Sequence, residues 1–329
     1  MNEGRHGTST LRSKLDDQTL FFRYWRDDSP TVSVYIVHGL SEHSERYNEF
    51  AIHLSKSLRA NVFAIDHRAH GYTACPTGAE DLSQLGVFNT SKDKKKLNCL
   101  EVMGGDVLQL IEESSNNLPI IIFGHSMGSA ITRWCIRLSP PTVLERIRGV
   151  VLSGIPTVPA VWERFPLLVL VSAALAMGKG QDALHNFIIG KFDTAVRHDT
   201  KNKTLPKGCF ISSVLEEVEK FNKDPLRGQT VDLHIWKSLR STMIELETPG
   251  RFFESLGERR IPILFVSGRK DPVCNYGRTS EKCAKEMKDL GFPVTEIYLD
   301  DCIHEFLHEA PVVKAKGTEE TTNWIKSKL

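Results

Sequence analysis

The pentapeptide Gly-His-Ser-Met-Gly at residues 124–128 constrains this chain more than any other feature. The apolar run before it, residues 118–123, fits a strand buried on both faces. Residues 129–136 follow with apolar side chains at near-helical spacing. A G-x-S-x-G pattern between a buried strand and a helix is typical of a sharp turn that holds a reactive serine. Ser126 is therefore the candidate nucleophile.

The two glycines of the motif have a steric reason. At a strained turn, the Cβ atoms that Gly124 and Gly128 lack would collide with the crossing backbone. The alternative is a glycine-rich turn in which Ser126 only caps the helix. The flanking strand and helix patterns favour the nucleophile.

Composition sets broad limits on the class of protein. The 329 residues are 40% hydrophobic and 25% charged, with a net charge of +1. These values suit a globular protein and give no indication of nucleic-acid binding. The seven cysteines form no C-x-x-C pair and have no metal-ligand spacing, and the N-terminus has no signal-peptide pattern. We therefore expect a cytoplasmic protein with no metal and no cofactor.

Strand and helix patterns alternate over most of the chain, which predicts a mostly parallel sheet covered by helices on both faces. Strands are predicted at 19–26, 32–37, 61–66, 118–123, 148–153, 261–267 and 294–299, and helices at 44–59, 98–115, 129–136, 279–290 and about 318–328.

The alternation stops between residues 155 and 245, where helical patterns dominate. We therefore predict a flexible N-terminal segment over 1–17, a core formed by 18–154 and 246–329, and a helical cap over 155–245. The most apolar part of the cap, 166–178, is too short to cross a bilayer. It fits either a buried core helix or the apolar face of a lid that contacts an acyl chain or a membrane surface.

A serine nucleophile needs a base and a group that orients the base. Asp271 follows the strand at 261–267, and His304 follows the strand at 294–299. Both loops lie at the carboxyl edge of a parallel sheet, where the Ser126 turn also lies. Asp300 and Asp301 are alternatives for the acid, and His308 is an alternative for the base.

The tetrahedral intermediate of acyl transfer needs two backbone N–H donors. Met127 follows the nucleophile and supplies one candidate. Leu40 supplies the other, because it lies in the loop after the strand at 32–37, where Gly39 allows close backbone approach. His38 and His125 are interpreted as structural histidines.

Several segments together resemble the monoacylglycerol lipase and lysophospholipase group of α/β-hydrolases. They occur in the order of that group and are HGLSEHSERY (38–47), AIDHRAHG (64–71), GHSMG (124–128), SGRKDPV (267–273), IHEFLHE (303–309) and, in the cap, FNKDPLRG (221–228).

The resemblance implies an α/β-hydrolase fold with a helical cap. It also implies that Ser126 is the nucleophile, Asp271 the acid and His304 the base, and that Leu40 and Met127 are the oxyanion donors. Ala69 and Ser129 stand where the group usually has glycine.

We therefore expect a serine hydrolase that cleaves the carboxylic ester of a small molecule or a lipid. The cap is expected to make peripheral contact with a membrane. A peptidase of the same fold would need an acidic group in the cap, and the candidates are Glu163, Glu216, Glu217 and Glu219. A catalytically inactive binding protein is the third possibility. A dehalogenase or epoxide hydrolase would carry Asp at position 126.

Overall fold

The computed structural model describes residues 5–92, 96–157, 180–246 and 256–329. Within these ranges an eight-stranded sheet has the order β1-β2-β4-β3-β5-β6-β7-β8. The strands are β1 His6–Arg12, β2 Thr19–Trp25, β3 Val32–Val37, β4 Ala60–Ile65, β5 Ile120–His125, β6 Ile147–Ser153, β7 Ile263–Gly268 and β8 Val294–Leu299.

Only the first two pairings, β1 with β2 and β2 with β4, are antiparallel. The remaining pairings are parallel. The predicted mostly parallel sheet is therefore confirmed, and it aligns the carboxyl ends of β3, β5, β6, β7 and β8 along one edge.

Helices connect the strands. The α-helices are α1 Asn48–Leu58, α2 Gly71–Ala74, α3 Cys99–Ser114, α4 Met127–Leu138, α5 Pro141–Leu144, α6 Gln181–Asp199, α7 Leu215–Lys223, α8 Leu233–Leu246, α9 Arg278–Asp289 and α10 Pro311–Lys326. Short 3-10 helices cover Ser44–Tyr47, Gly78–Glu80 and Phe306–His308.

The central strand β5 shows why both faces of the sheet are covered. Its side chains alternate between two apolar clusters. Ile120 and Ile122 pack in the cluster that contains residues of α3 and α4. Ile121 and Phe123 pack in the cluster that contains residues of α1 and α10. The continuous apolar run before the motif is therefore a strand buried on both faces, as predicted.

The expectation of a flexible N-terminal segment is wrong for residues 6–12. They form β1, which pairs with β2 along its whole length, and Leu11 is buried. The chain after β1 is also fixed, because the Ser13 hydroxyl donates to Asp106 and Asp16 pairs with the buried Arg68.

The last helix is longer than the sequence predicts. It begins at Pro311, which occupies the first turn and needs no intrahelical N–H partner there. Gly317 lies inside this helix. A side chain at that position would collide with the Phe306 ring, since a Cβ atom there would lie 2.5 Å from it. The predicted start near Thr318 is therefore wrong.

The chain between β6 and β7 contains α6, α7 and α8 in its described part. The apolar segment 166–178 and Glu163 lie outside the described residues. Across the part of the chain that the structure describes, no helix is both long and apolar enough to span a bilayer.

Candidate active site

Ser126 lies at the tip of the turn between β5 and α4. Its backbone has φ 51° and ψ −121°, which is a strained conformation for a residue with a side chain. Its N–H donates to the Ser153 carbonyl at 2.8 Å. A Cβ atom on Gly124 would lie 2.6 Å from the Gly128 carbonyl oxygen, and one on Gly128 would lie 2.0 Å from the Val37 carbonyl oxygen. The glycine spacing of the motif is therefore a steric requirement of this turn.

Asp271 and His304 come from the loops after β7 and β8 and meet at the same edge of the sheet. His304 Nδ1 donates to Asp271 Oδ2 at 2.8 Å, and Val273 N–H donates to Asp271 Oδ1 at 2.8 Å. The two loops touch closely, since a Cβ atom on Gly268 would lie 2.0 Å from the Ile303 carbonyl oxygen. With Nδ1 committed to the fully buried Asp271, the imidazole has Nε2 available as a base.

The environment of His304 favours its charged form. Burial lowers the pKa of the imidazole, whereas the charge and hydrogen bond of Asp271 raise it. The carboxylates of Glu305 and Glu42 add to the increase. The net pKa therefore lies above the ordinary value of 6.5.

The structure separates the alternative acids from the histidine that they would have to orient. The side chain of Asp301 is 76% exposed and pairs with Lys270 at 2.8 Å. Asp300 is exposed as well. Among the three aspartates considered from the sequence, the hydrogen bond to His304 belongs to Asp271.

The other histidines near the site occupy different positions. His308 Nδ1 lies 3.1 Å from the Glu305 carboxylate, in the short helix after the His304 loop. The His125 ring centre lies 4.7 Å from that of His304. Burial, followed by the charge of His304, lowers the pKa of His125 to about 3, so it is neutral at physiological pH.

The loop after β3, residues 38–43, packs closely at its second residue, Gly39, where a Cβ atom would lie 2.7 Å from Glu42 Oε1. A Cβ atom on Gly39 would lie 3.2 Å from Ser126 Cβ. His38 fixes the loop, because its Nδ1 donates to the Gly39 carbonyl at 2.8 Å while its Nε2 accepts the His67 N–H at 3.0 Å. Leu40 follows Gly39 and, with Met127, lines the same cavity as Ser126. We call residues 38–43 the first loop.

A buried ionic network beneath the site has no counterpart in the sequence interpretation. Glu42 Oε1 accepts the Gly39 N–H at 2.5 Å and the Tyr47 hydroxyl at 2.8 Å, while Glu42 Oε2 accepts Arg46 Nη1 at 2.8 Å. Arg46 also forms a two-point pair with Glu305, at 2.9 and 2.7 Å. The network therefore joins the first loop to the residue that follows His304.

Only one of the two ion pairs in this network could be predicted from the sequence. Glu42 and Arg46 have the i, i+4 spacing of a local ion pair. Glu305 lies 259 residues from Arg46, so no local pattern links them. Burial lowers the pKa of Arg46, but the charge of Glu305 and its hydrogen bond raise it by more, and the guanidinium stays charged.

The segment between α7 and α8 is bonded directly to the first loop. His43 Nε2 lies 2.7 Å from Asp224 Oδ2. The Gly228 N–H donates to the Ser41 carbonyl at 2.8 Å, and the Ser41 hydroxyl donates to the Gln229 carbonyl at 2.8 Å. The segment 224–229 therefore has a fixed position relative to Leu40.

A cavity of about 1090 Å³, open to solvent, lies over Ser126 and His304. Much of its lining is apolar and comes from α6, α8 and the chain before α7: Ile188, Ile189, Phe192, Phe210, Ile211, Trp236, Leu239 and Met243. Its charged lining residues, among those described, are Glu42, Glu305, Lys207, Arg227 and Arg240. The site therefore combines a strained serine, a histidine–aspartate pair and a large apolar cavity.

Known proteins are similar to this chain over most of its length. The family model described as serine aminopeptidase, S33, matches residues 28–311. The chain is 27% identical to monoglyceride lipase of Mus musculus, over 95% of this chain and 89% of that protein.

Two solved structures are similar in fold. A thermostable carboxyl esterase from Bacillus coagulans superposes with a TM-score of 0.76 at 22% identity, covering 98% of both chains. A soluble variant of monoglyceride lipase from Saccharomyces cerevisiae superposes with a TM-score of 0.67 at 15% identity, covering 98% of this chain and 97% of that one. The predicted α/β-hydrolase fold is confirmed.

Proposed function

This chain belongs to the family described as serine aminopeptidase, S33, and we propose that it is a serine hydrolase that cleaves carboxylic esters of single-chain lipids. The observation that carries the proposal is the arrangement around the cavity. Ser126 and His304 line one cavity, and His304 is hydrogen-bonded to the buried Asp271. The similarity to monoglyceride lipases and esterases supports an ester of a lipid as the substrate.

In the proposed reaction, His304 Nε2 takes the proton from Ser126 Oγ as that oxygen bonds to the ester carbonyl carbon. The carbonyl oxygen becomes negative and accepts hydrogen bonds from the N–H groups of Leu40 and Met127. The carbon–oxygen bond to the alcohol then breaks, and His304 gives its proton to the departing oxygen. The products of this half-reaction are the free alcohol and an acyl group on Ser126.

A water molecule completes the turnover. It gives a proton to His304 as its oxygen bonds to the acyl carbon, and the proton returns to Ser126 Oγ as the acid leaves. Asp271 holds the imidazole in the required tautomer and stabilises its charged form in both half-reactions. The raised pKa of His304 agrees with this role, because it reflects the same stabilisation.

The apolar lining supports a long acyl chain as part of the substrate. The apolar side chains of α6 and α8 that line the cavity over Ser126 would cover the methylene groups of such a chain. We further propose that residues 155–245 form the cap that supplies much of this lining. Location in the cytoplasm and contact of the cap with a membrane surface remain predictions.

An aminopeptidase is the second candidate, because of the family description. The charges of the described cavity lining favour the ester hydrolase. A substrate ammonium needs a free carboxylate, but the cavity carboxylates Glu42 and Glu305 are both paired with Arg46. Of the cap acids considered from the sequence, Glu163 lies outside the described residues. Glu217 and Glu219 pair with lysines of α7 and, like Glu216, do not line the described cavity.

Labelling with a fluorophosphonate, followed by intact mass, tests the serine chemistry. We expect one adduct on the wild-type protein and none on Ser126→Ala. Ser129→Ala is the matched control and should label like the wild type, because the Ser129 hydroxyl is committed to the Ser126 carbonyl at 2.7 Å. A folded wild-type protein without an adduct would contradict the hydrolase and favour a binding protein.

A substrate panel then separates the two enzyme classes. We expect turnover of monoacylglycerols and p-nitrophenyl esters and little turnover of aminoacyl amides. Rapid cleavage of the amides alone would make the protein an aminopeptidase.

A further inference from the structure

The outer part of the cavity carries basic groups around one aromatic ring. Lys207, Asn222 and Arg227 line the cavity there, and we call these three residues the cationic rim. The Arg227 guanidinium lies 4.3 Å from the centre of the Phe221 ring, and Asn222 Nδ2 donates to the Lys207 carbonyl at 2.8 Å. This cation–π contact holds the Arg227 guanidinium near Phe221 and leaves its N–H groups available for hydrogen bonds.

The carboxylates close to the cationic rim are already occupied. Glu42 and Glu305 both pair with Arg46, whose own guanidinium lies 4.8 Å from the centre of the Phe221 ring. Asp224 accepts from His43 and, at 2.9 Å, from the Leu226 N–H.

Arg227 therefore has no ion pair or hydrogen-bond partner among the described residues, and its Nε is buried without one. Burial lowers its pKa to about 10, an effect that the charge of Asp224 only partly offsets. Partial burial of a guanidinium whose Nε has no hydrogen-bond partner costs free energy, and an anionic ligand would offset that cost.

The position of Arg227 identifies which part of the substrate it faces. Its neighbour Gly228 is hydrogen-bonded to Ser41, the residue after the candidate oxyanion donor Leu40. The cationic rim therefore lies close to the ester group. The acyl chain would pack against the apolar lining from α6 and α8. The alcohol portion of the ester is therefore the part that reaches the cationic rim.

We propose that the cationic rim binds a phosphate group on the alcohol portion of the substrate, so that the enzyme prefers acyl esters of phosphorylated alcohols over neutral ones. The inference rests on the proposed ester hydrolase and specifies the head group for it. Arginine matches phosphate particularly well, because its planar fork makes two parallel charge-assisted hydrogen bonds. The Lys207 ammonium and the Asn222 amide add further donors.

Two short-chain esters that differ only in the phosphate test the proposal. The probes are 1-octanoylglycerol and 1-octanoylglycerol 3-phosphate, used below their micellar concentrations. We expect the wild-type kcat/KM to be about tenfold or more higher for the phosphate ester. In Arg227→Gln this preference should disappear, because kcat/KM for the phosphate ester should fall. The kcat/KM for the neutral ester should change by less than about threefold. Arg227→Lys should retain part of the preference, since it keeps the charge and loses the fork.

Arg148→Gln is the matched control, because it removes one exposed positive charge on β6, away from the cavity. A second measurement does not depend on which ester is turned over. Free glycerol 3-phosphate should inhibit hydrolysis of the neutral ester by the wild type and by Arg148→Gln more strongly than by Arg227→Gln. This comparison measures binding of the phosphate group at the cationic rim.

The outcomes separate this inference from the proposed function. Turnover of the neutral ester with no gain from the phosphate would overturn the inference alone. An equal fall for both esters in Arg227→Gln would also overturn it, because the residue would then be structural. No turnover of either ester by the wild type, with no fluorophosphonate adduct, would overturn the proposed function itself.

Discussion

Acid should destabilise this protein through histidines that are buried in their neutral form, and His38 is the clearest case. It is fully buried, and burial, followed by repulsion from His70, lowers its pKa from 6.5 to about 3. In the unfolded chain it binds a proton near pH 6.5, whereas in the folded protein it does not. The unfolded state therefore gains protons first as the pH falls, and stability is lost on the acid side.

The magnitude follows from the size of this gap. Each pH unit below 6.5 costs about 1.4 kcal/mol for one such histidine, until the pH reaches the folded pKa near 3. At about pH 5 the loss from His38 alone is therefore about 2 kcal/mol. Glutamine can take over both hydrogen bonds of His38, one as donor and one as acceptor, and it does not titrate.

The assay compares urea unfolding of the wild type and His38→Gln at about pH 7.5 and about pH 5. Groups common to both proteins cancel in the comparison. The wild type should lose about 2 kcal/mol more than the variant between the two pH values. His198→Gln is the control, because the His198 side chain is 87% exposed, and it should follow the wild type.

Equal losses of stability in the wild type and in His38→Gln would refute the reasoning. If His38→Gln does not fold, His125→Gln provides the same test, since burial also lowers the pKa of His125 to about 3.

Three further predictions concern catalysis and packing. Asp271→Asn should lower kcat by roughly 10³- to 10⁴-fold at neutral pH while the protein stays folded; because the loss of a carboxylate lowers the pKa of the base, the acid limb of its residual pH–rate profile should move to lower pH. Arg46→Met should cost about 3–5 kcal/mol in unfolding free energy, since it removes the guanidinium that bridges two buried glutamates; a loss below about 1 kcal/mol would contradict the network. Gly128→Ala should prevent folding or displace the first loop, whereas Gly190→Ala in α6 should stabilise by about 1 kcal/mol, because no atom of the described residues lies within 4 Å of its Cβ; thermal melts of the two variants check both.

The catalytic candidates could be predicted because each depends on a local rule. Ser126 lies between a strand and a helix that its neighbours specify, and Asp271 and His304 each follow a strand. Parallel strands bring such loops together at one edge without further information. Their hydrogen bond at 2.8 Å is therefore a consequence of strand order as much as of the residues themselves.

Other features depend on contacts between distant residues that no local pattern encodes. The pairing of Arg46 with Glu305 needs the first loop and the last loop to meet, which only the folded sheet determines. β1 was missed for the same reason, since a polar segment becomes a strand here by pairing with β2 and burying Leu11. The start of the last helix at Pro311 was also missed, and the fit of Gly317 against the Phe306 ring is a contact between residues that only the folded chain brings together.

The three links between the first loop and the segment 224–229 set a rule for building hybrid enzymes. A new specificity is usually sought by transplanting the region between β6 and β7 from a relative. Here the transplant must preserve a carboxylate that matches His43 and backbone groups that match Ser41. If the transplanted chain begins after residue 229, the recipient keeps its own segment 224–229 and the first loop keeps its three hydrogen-bonded contacts. If it begins before residue 224, the segment that supports the first loop is replaced.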